Sequence, residues 1–374
     1  MGWFTKKAEA APEAKASAAG RILAGGRGTS WTPRESGALT RAGFTGNPVG
    51  FRAVKLVAEA AAALPIVADG GRVVAHPVLS LLARPNAAQG RAELIEALVA
   101  QLLLTGDGYV EAVGEAGLPA ELHVLRSDRM AVVPGADGWP VGYDYRVAGR
   151  KLRFAAEAVC HVRAFHPQDD HHGFSPMQAA AAAVDVHNAA SRWSKALLDN
   201  AARPSGAIVN NGKDGLSLTA EQFDRLQAEM EAFHQGARNA GRPMLLDGGL
   251  DWKPMGFSPS DMEFQETKRD AAREIATAFG VPPMMLGIPG EATYSNYAEA
   301  NRAFFRLTVL PLAERVAARL GTWLSELGGE AVTLSVDLDA VPALSAERDA
   351  RWRRIADADF LTNDEKRALL GIAE

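Results

Sequence analysis

Apolar residues recur at helical spacing from Pro48 to Leu64, at Phe51, Val54, Val57, Ala58 and Ala61, and Pro65 ends the run. Residues 65–67 and 72–75 read as short strands around an Asp69-Gly70-Gly71 turn. A second helix is predicted over 91–104, with Gly106 as its C-terminal stop. The period then changes to two. Strands are expected at 109–113, 121–125, 130–133, 143–147, 151–154 and 159–164, separated by Gly, Pro and Asp turns. Residues 45–174 are therefore expected to form a mixed α+β domain.

Ser175-Pro176-Met177-Gln178 is a capping box with Pro at the first helical position. No breaker follows before Arg203-Pro204, so about 27 residues at ~1.5 Å rise predict a rod of roughly 40 Å. Its Ala179–183 stretch suits close packing against neighbouring copies. Residues 203–258 read as a separate αββ unit. It has a strand at 207–209, a capping box at Thr219…Gln222 stapled by Leu218 and Phe223, and a hairpin about Gly248-Gly249. The next helix runs from about residue 259 to Gly280-Val281-Pro282-Pro283. Phe264, Ala271, Ile275 and Ala278 lie within about 60° of one another on its wheel. Glu263, Glu266, Asp270 and Glu274 cluster within about 80° outside that face. A Gly, Pro, Asn and Ser-rich loop is expected over 287–297. A helix to Leu327 follows, with a kink expected at Pro311. Residues 332–336 read as a strand, and Thr362-Asn363-Asp364-Glu365 opens a final helix.

Length and charge narrow the function. A chain of 374 residues implies two or three domains, and 40 Lys+Arg against 45 Asp+Glu exclude a generally basic nucleic-acid coat. The single cysteine, Cys160, excludes a disulfide framework and a multi-Cys zinc site; its apolar strand points to a buried, inert thiol. No run of ~18 uncharged apolar residues predicts a membrane span, and residues 1–44 read as a flexible tail without the apolar core of a secretory signal. His161, His166, Asp169, Asp170, His171 and His172 are the only cluster resembling a metal site, at a spacing that matches no helical or knuckle pattern. A polar connecting loop explains them as well; a metal-dependent hydrolase is the alternative function they would support. Gly173-Phe174-Ser175-Pro176-Met177 lacks the last glycine of a nucleophile elbow. Gly212-Lys213 is followed by Asp214 and has Ala207 where a Walker loop needs glycine. The acidic stripe is either a solvated helix face or, in a ring, a wall that repels a polyanion.

Several motifs in order resemble the portal (head–tail connector) proteins of tailed bacteriophages, siphophage type, including those of prophages and gene transfer agents. They are Ala63-Leu64-Pro65-Ile66; His76-Pro77-Val78-Leu79 with Leu82-Ala83-Arg84-Pro85-Asn86; Leu104-Thr105-Gly106-Asp107-Gly108-Tyr109; His161-Val162-Arg163; Gly173-Phe174-Ser175-Pro176; and Pro204-Ser205-Gly206. Three further pieces are stronger: Phe257-Ser258-Pro259-Ser260-Asp261-Met262-Glu263-Phe264, Glu274-Ile275-Ala276 with Phe279-Gly280-Val281-Pro282-Pro283, and Thr293-Tyr294-Ser295-Asn296. Asp107 departs from the family, which usually has asparagine there.

The resemblance implies an α+β protein. Its parts would be a wing at 45–174, stem helices at 175–202 and 259–286, a clip at 203–258, a tunnel loop at 287–300, a kinked wing helix at 301–330 and a crown at 331–374. It implies a non-enzymatic ring of twelve subunits, without cofactor or metal, at one capsid vertex of a virion assembled in the bacterial cytoplasm. Double-stranded DNA would pass through it without base reading. Terminase large subunit, head–tail adaptor and major capsid protein would be its partners. Glu263, Glu266, Asp270 and Glu274 would line the channel, and Thr293, Tyr294, Ser295, Asn296 and Tyr297 would contact DNA from the tunnel loop.

Overall fold

The computed structural model describes residues 31–69, 76–114, 117–199, 206–210, 221, 250–254, 259–290 and 294–370. The expected strand at 72–75, Thr293 and most of the 203–258 insert, with its capping box, lie outside them. The described chain is an α+β structure in which helices pack on small antiparallel sheets.

Part of the stretch expected as a flexible tail is folded: α1 (Ser36–Thr40) buries Leu39 in the core, and the Thr32 amide donates to Asp185 at 3.0 Å, before α2 (Pro48–Ala62) begins. The Asn47 side chain caps α2 by accepting from the Val49 and Gly50 amides, and Pro48 starts the helix with its φ already set. Strand β1 (Ile66–Ala68) follows, then α3 (Pro77–Ala83) and α4 (Arg91–Thr105). Gly106 ends α4 at φ 87°, in the left-handed region, as expected of a helix-terminating glycine. Strands β2 (Asp107–Val113), β3 (Glu121–Leu125), β4 (Met130–Pro134), β5 (Pro140–Val147), β6 (Arg150–Ala155) and β7 (Val159–Arg163) match the period-two segments to within three residues. They form two antiparallel sheets, β3-β2-β7 and β4-β5-β6. The register sets Val110 opposite both Val124 and Cys160, and Tyr109 opposite both Leu125 and His161.

The expected rod from residue 175 is broken. The Ser175–Gln178 capping box forms, but it starts only a single turn, α5 (Pro176–Ala179); the chain leaves the helix at Ala180 and re-enters it as α6 (Ala181–Asp199). Nineteen residues make α6 about 28 Å long. Met177, fully buried, anchors the short turn in the core, and the main helix resumes beyond it. The small side chains Ala180, Ala181, Ala183 and Val184 also bury within the chain, not only against copies as expected.

Strands β8 (Gly206–Asn210) and β9 (Leu250–Pro254) pair antiparallel and join the two ends of the insert. Helix α7 (Pro259–Ala278) packs on α6, where Phe264 stacks on Trp193 at 4.3 Å between ring centroids. The expected loop over 287–300 is shorter than predicted: α8 (Tyr294–Phe304) begins at Tyr294, so Tyr294, Ser295, Asn296 and Tyr297 are helical. The loop-like Tyr-Ser-Asn composition gives way to an amphipathic helix that continues towards Phe304, which is buried. Ahead of Pro311, where a kink is expected, the helix widens into a π-helical turn at Phe305–Val309 that leads into α9 (Leu310–Gly328). Proline lacks the N–H and crowds the preceding carbonyls, and the wider turn relieves both.

Strand β10 (Leu334–Val336) pairs with β1, so the partner observed for β1 comes from the other end of the chain. The main core gathers Val54, Val57 and Ala58 of α2, Leu94, Leu98 and Leu102 of α4, and Leu320, Trp323 and Leu324 of α9. Helices α10 (Ser345–Ala356) and α11 (Asn363–Leu370) close the chain, the latter with the expected Thr362–Glu365 capping box.

Two glycines touch at the junction between the sheet and α5. The Gly106 carbonyl accepts from the Ala164 amide, and a Cβ on Gly173 would fall 1.9 Å from that same oxygen. Gly173→Ala is expected to cost about 1–3 kcal/mol, read as a lower thermal midpoint. Gly290→Ala, with nothing within 4 Å of its would-be Cβ, should leave the midpoint unchanged.

Candidate functional site

Helix α7 turns Ala271, Ala272, Ile275 and Ala276 inward, leaving Glu266, Asp270 and Glu274 exposed. Glu263 lies one turn earlier on the same helix. The stripe is not purely acidic: Arg273 pairs with Asp270 at 3.3 Å and donates to the Pro289 carbonyl at 2.8 Å. An exposed pair of this kind contributes at most about 1 kcal/mol, so its effect is to dilute the negative field locally. Asn296 and Tyr297 are exposed on the first turns of α8.

The histidine and aspartate cluster is drawn apart by different partners. His161 Nε2 donates to Asp107 Oδ1 at 2.8 Å, and His172 Nδ1 meets Asp107 Oδ2 at 3.3 Å. His166 Nδ1 instead accepts from the Gln168 amide, and its ring sits edge-on to Phe174. Asp169 accepts from the His171 and His172 amides in a turn of its own. Among the described residues no three His, Cys, Asp or Glu side chains are arranged to hold a metal ion.

What the fold does build is a buried carboxylate. Asp107 is 5% exposed at the start of β2 and also accepts from the Gly173 amide at 3.0 Å. Burial pushes its pKa up, but the hydrogen bonds from His161 and His172 outweigh that and hold the carboxyl below its usual range. His161 stacks on Tyr109 at 4.3 Å and meets Tyr143 edge-on. Burial lowers its pKa despite the carboxylate, so it stays neutral and donates from Nε2. His172 is half-exposed, and the hydrogen bond to Asp107 raises its pKa. The sequence marks Asp107 only as a departure from the family's asparagine. The signal that could have found its role is an acid directly after a helix-ending glycine, opening an apolar strand. Cys160 is buried in β7 of the same sheet, as its apolar strand suggested, and desolvation pushes its thiol up to about 12, which disfavours the reactive thiolate.

Residues 48–371 match the phage portal protein family, and the chain belongs to it. A solved structure, the neck of a native gene transfer agent particle computed with C12 symmetry, contains a chain 66% identical to this one; the match covers 96% of this chain and 99% of that one at a TM-score of 0.77. A protein of Rickettsia bellii is 38% identical over 87% of this chain and 86% of its own length. The probable portal protein of Streptomyces phage phiC31 is 27% identical over 72% of this chain and 61% of its own length.

The pH dependence of the Asp107 network has a defined sign. A histidine whose folded pKa is raised contributes stability that is full below its unfolded value of 6.5 and lost as pH rises through the folded pKa. His172→Ala should therefore lower the thermal midpoint more at pH 6 than at pH 8 (pH values about the ordinary imidazole range). An equal loss at both pH values would remove the charged hydrogen bond from the account.

Proposed function

We propose that this chain is one subunit of a ring-shaped portal at a capsid vertex of a gene-transfer-agent or phage particle, through which DNA is packaged and released. The observation that carries this is the 66% identity, over nearly the whole chain, to a chain in a particle neck of C12 symmetry. Twelve copies is the ring size this supports. The hydrolase alternative finds no comparable support: its histidines serve a buried carboxylate and a loop.

In this reading the mixed domain is the wing, α6 and α7 are the stem, the insert joined by β8 and β9 is the clip, and α10 with α11 belongs to the crown. Glu263, Glu266, Asp270 and Glu274 of each copy face the bore. Duplex DNA carries about one charge per 1.7 Å of axis, and a carboxylate-rich wall does not grip it. The neighbouring Arg273 keeps the wall from being uniformly repulsive. Thr293 and the first residues of α8, Tyr294, Ser295, Asn296 and Tyr297, approach the passing DNA. Terminase large subunit and then a head–tail adaptor dock at the clip, major capsid protein surrounds the wing, and assembly takes place in the bacterial cytoplasm. The ring supplies a passage, and the packaging ATPase resides in another protein.

Negative-stain images of the purified protein should show rings with a central hole; a compact monomer at all concentrations would overturn the ring. The channel assignment has its own test, Glu266→Lys with Asp270→Lys and Glu274→Lys. Rings should still form, while DNA per particle falls about tenfold or more as the bore begins to hold phosphate. Normal packaging in this variant would take these residues out of the bore.

A further inference from the structure

A cleft of about 820 Å³ opens between the β4–β5 turn, β7 and α9. Arg163, Arg315 and Arg319 line it together with Trp139 and Tyr143. All three arginines are exposed, and none has a carboxylate partner within ion-pair distance among the described residues. Arg319 spends its Nε on the His161 carbonyl at 3.3 Å, which fixes its head at the cleft wall. Two acids also line the cleft, Asp137 and Asp170. Three arginines against two aspartates leave the cleft net positive, and Asp137 already accepts from the Trp139 amide. Trp139 is 71% exposed, a large apolar surface left uncovered in a single copy. Arginine, tryptophan and tyrosine around one hollow are the residue types that dominate interface energetics.

The far end of the chain has the complementary character. Neither α10 nor α11 buries a single residue, so this helix pair is not held by a core of its own. Between them runs Asp357-Ala358-Asp359-Phe360-Leu361, with both carboxylates exposed and Phe360 86% exposed. A rotationally symmetric ring is closed by heterologous contacts, in which one patch of a chain meets a different patch of the next copy. An arginine-lined cleft with a bare tryptophan and an acidic turn with a bare phenylalanine are such a pair.

We infer that the Arg163–Arg315–Arg319 cleft of each subunit receives the Asp357–Leu361 turn of a neighbouring copy, Asp357 and Asp359 meeting the guanidinium groups and Phe360 covering Trp139. This rests on the ring proposed above and names a contact that closes it. It also adds to the polar contacts that hold α10 and α11 in their own chain, among them Arg348 to the Asp339 carbonyl at 2.7 Å.

The test is charge exchange in the full-length protein. Arg315→Glu with Arg319→Glu is one variant, Asp357→Arg with Asp359→Arg the second, and all four substitutions together the third. Ring fraction is read by light scattering after gel filtration and by negative stain, with circular dichroism confirming that each exposed-site variant is folded. The first two variants should each reduce the ring fraction about tenfold or more, and the combined variant should restore it. Wild-type ring levels in either single-patch variant, or no restoration in the third, overturn the inference while leaving the ring reading intact. A wild-type protein that never forms rings overturns the ring itself. A cleft variant that keeps its rings but loses retention of duplex DNA overturns the inference and assigns the arginines to phosphate.

Discussion

The buried carboxylate of Asp107 is the constraint around which the middle of this molecule is arranged. A charge taken out of water is tolerated only when donors replace the water, and here three do so: His161 from β7, His172 from the following loop and the Gly173 amide just before α5. The carboxylate thus ties the end of α4 to the sheet and to the start of the long helices. The touching glycines, Gly106 and Gly173, let the two backbones come close enough for that set of bonds to form. An asparagine at this position would accept with its one oxygen and could meet the second imidazole only by donating to its unprotonated nitrogen, whereas the aspartate accepts from both histidines.

From that junction the direction of α5 and α6 is set, and through α6 the placement of α7. The Trp193–Phe264 stack and the inward row of Ala271, Ala272, Ile275 and Ala276 then settle how α7 is rotated. That rotation, more than the composition of α7, is what leaves Glu266, Asp270 and Glu274 exposed together. Apart from the Asp270–Arg273 pair these acids carry no packing load, which falls to the adjacent apolar face.

Local periodicity made much of this legible before any coordinates. The period-two segments between residues 107 and 163 are strands as their sequence pattern predicts, although β2 and β7 are largely buried on both faces and β6 is exposed almost throughout, and α2 and α7 show an apolar stripe. The misses have physical causes. The break at Ala180 carries no proline or glycine; it follows from Met177 being held in the core, a tertiary effect. Residues 294–297 look like loop because Tyr, Ser and Asn are weak helix formers, yet they begin a helix that ends in buried Phe304. Pairing of β1 with β10 joins segments more than 260 residues apart, which no local pattern encodes. At the site, the histidines were visible and their common partner was not, since Asp107 lies 54 residues from His161 in sequence.

The distribution of exposed aromatic side chains argues that a single copy is an incomplete object. Isolated surface apolar residues are ordinary, but Trp139 and Phe360 are largely exposed, one beside arginines without a carboxylate partner among the described residues and the other next to Asp359 in a hollow that Arg351 and Arg354 also line. A monomer selected only for solubility gains nothing from either arrangement. In a closed ring each chain presents two different faces to two neighbours, so complementary patches on distant parts of one chain are what symmetry demands. The helix pair α10–α11 adds to this, for short helices without a fully buried residue are marginal in water and gain stability where they dock. The same logic applies in reverse to the acidic face of α7. A surface meant to be covered by a neighbour would lose its hydration on assembly at large cost, whereas a surface facing a water-filled bore keeps it. The proposed placement of the α7 acids at a lumen and of the cleft arginines at a joint follows the same solvation argument.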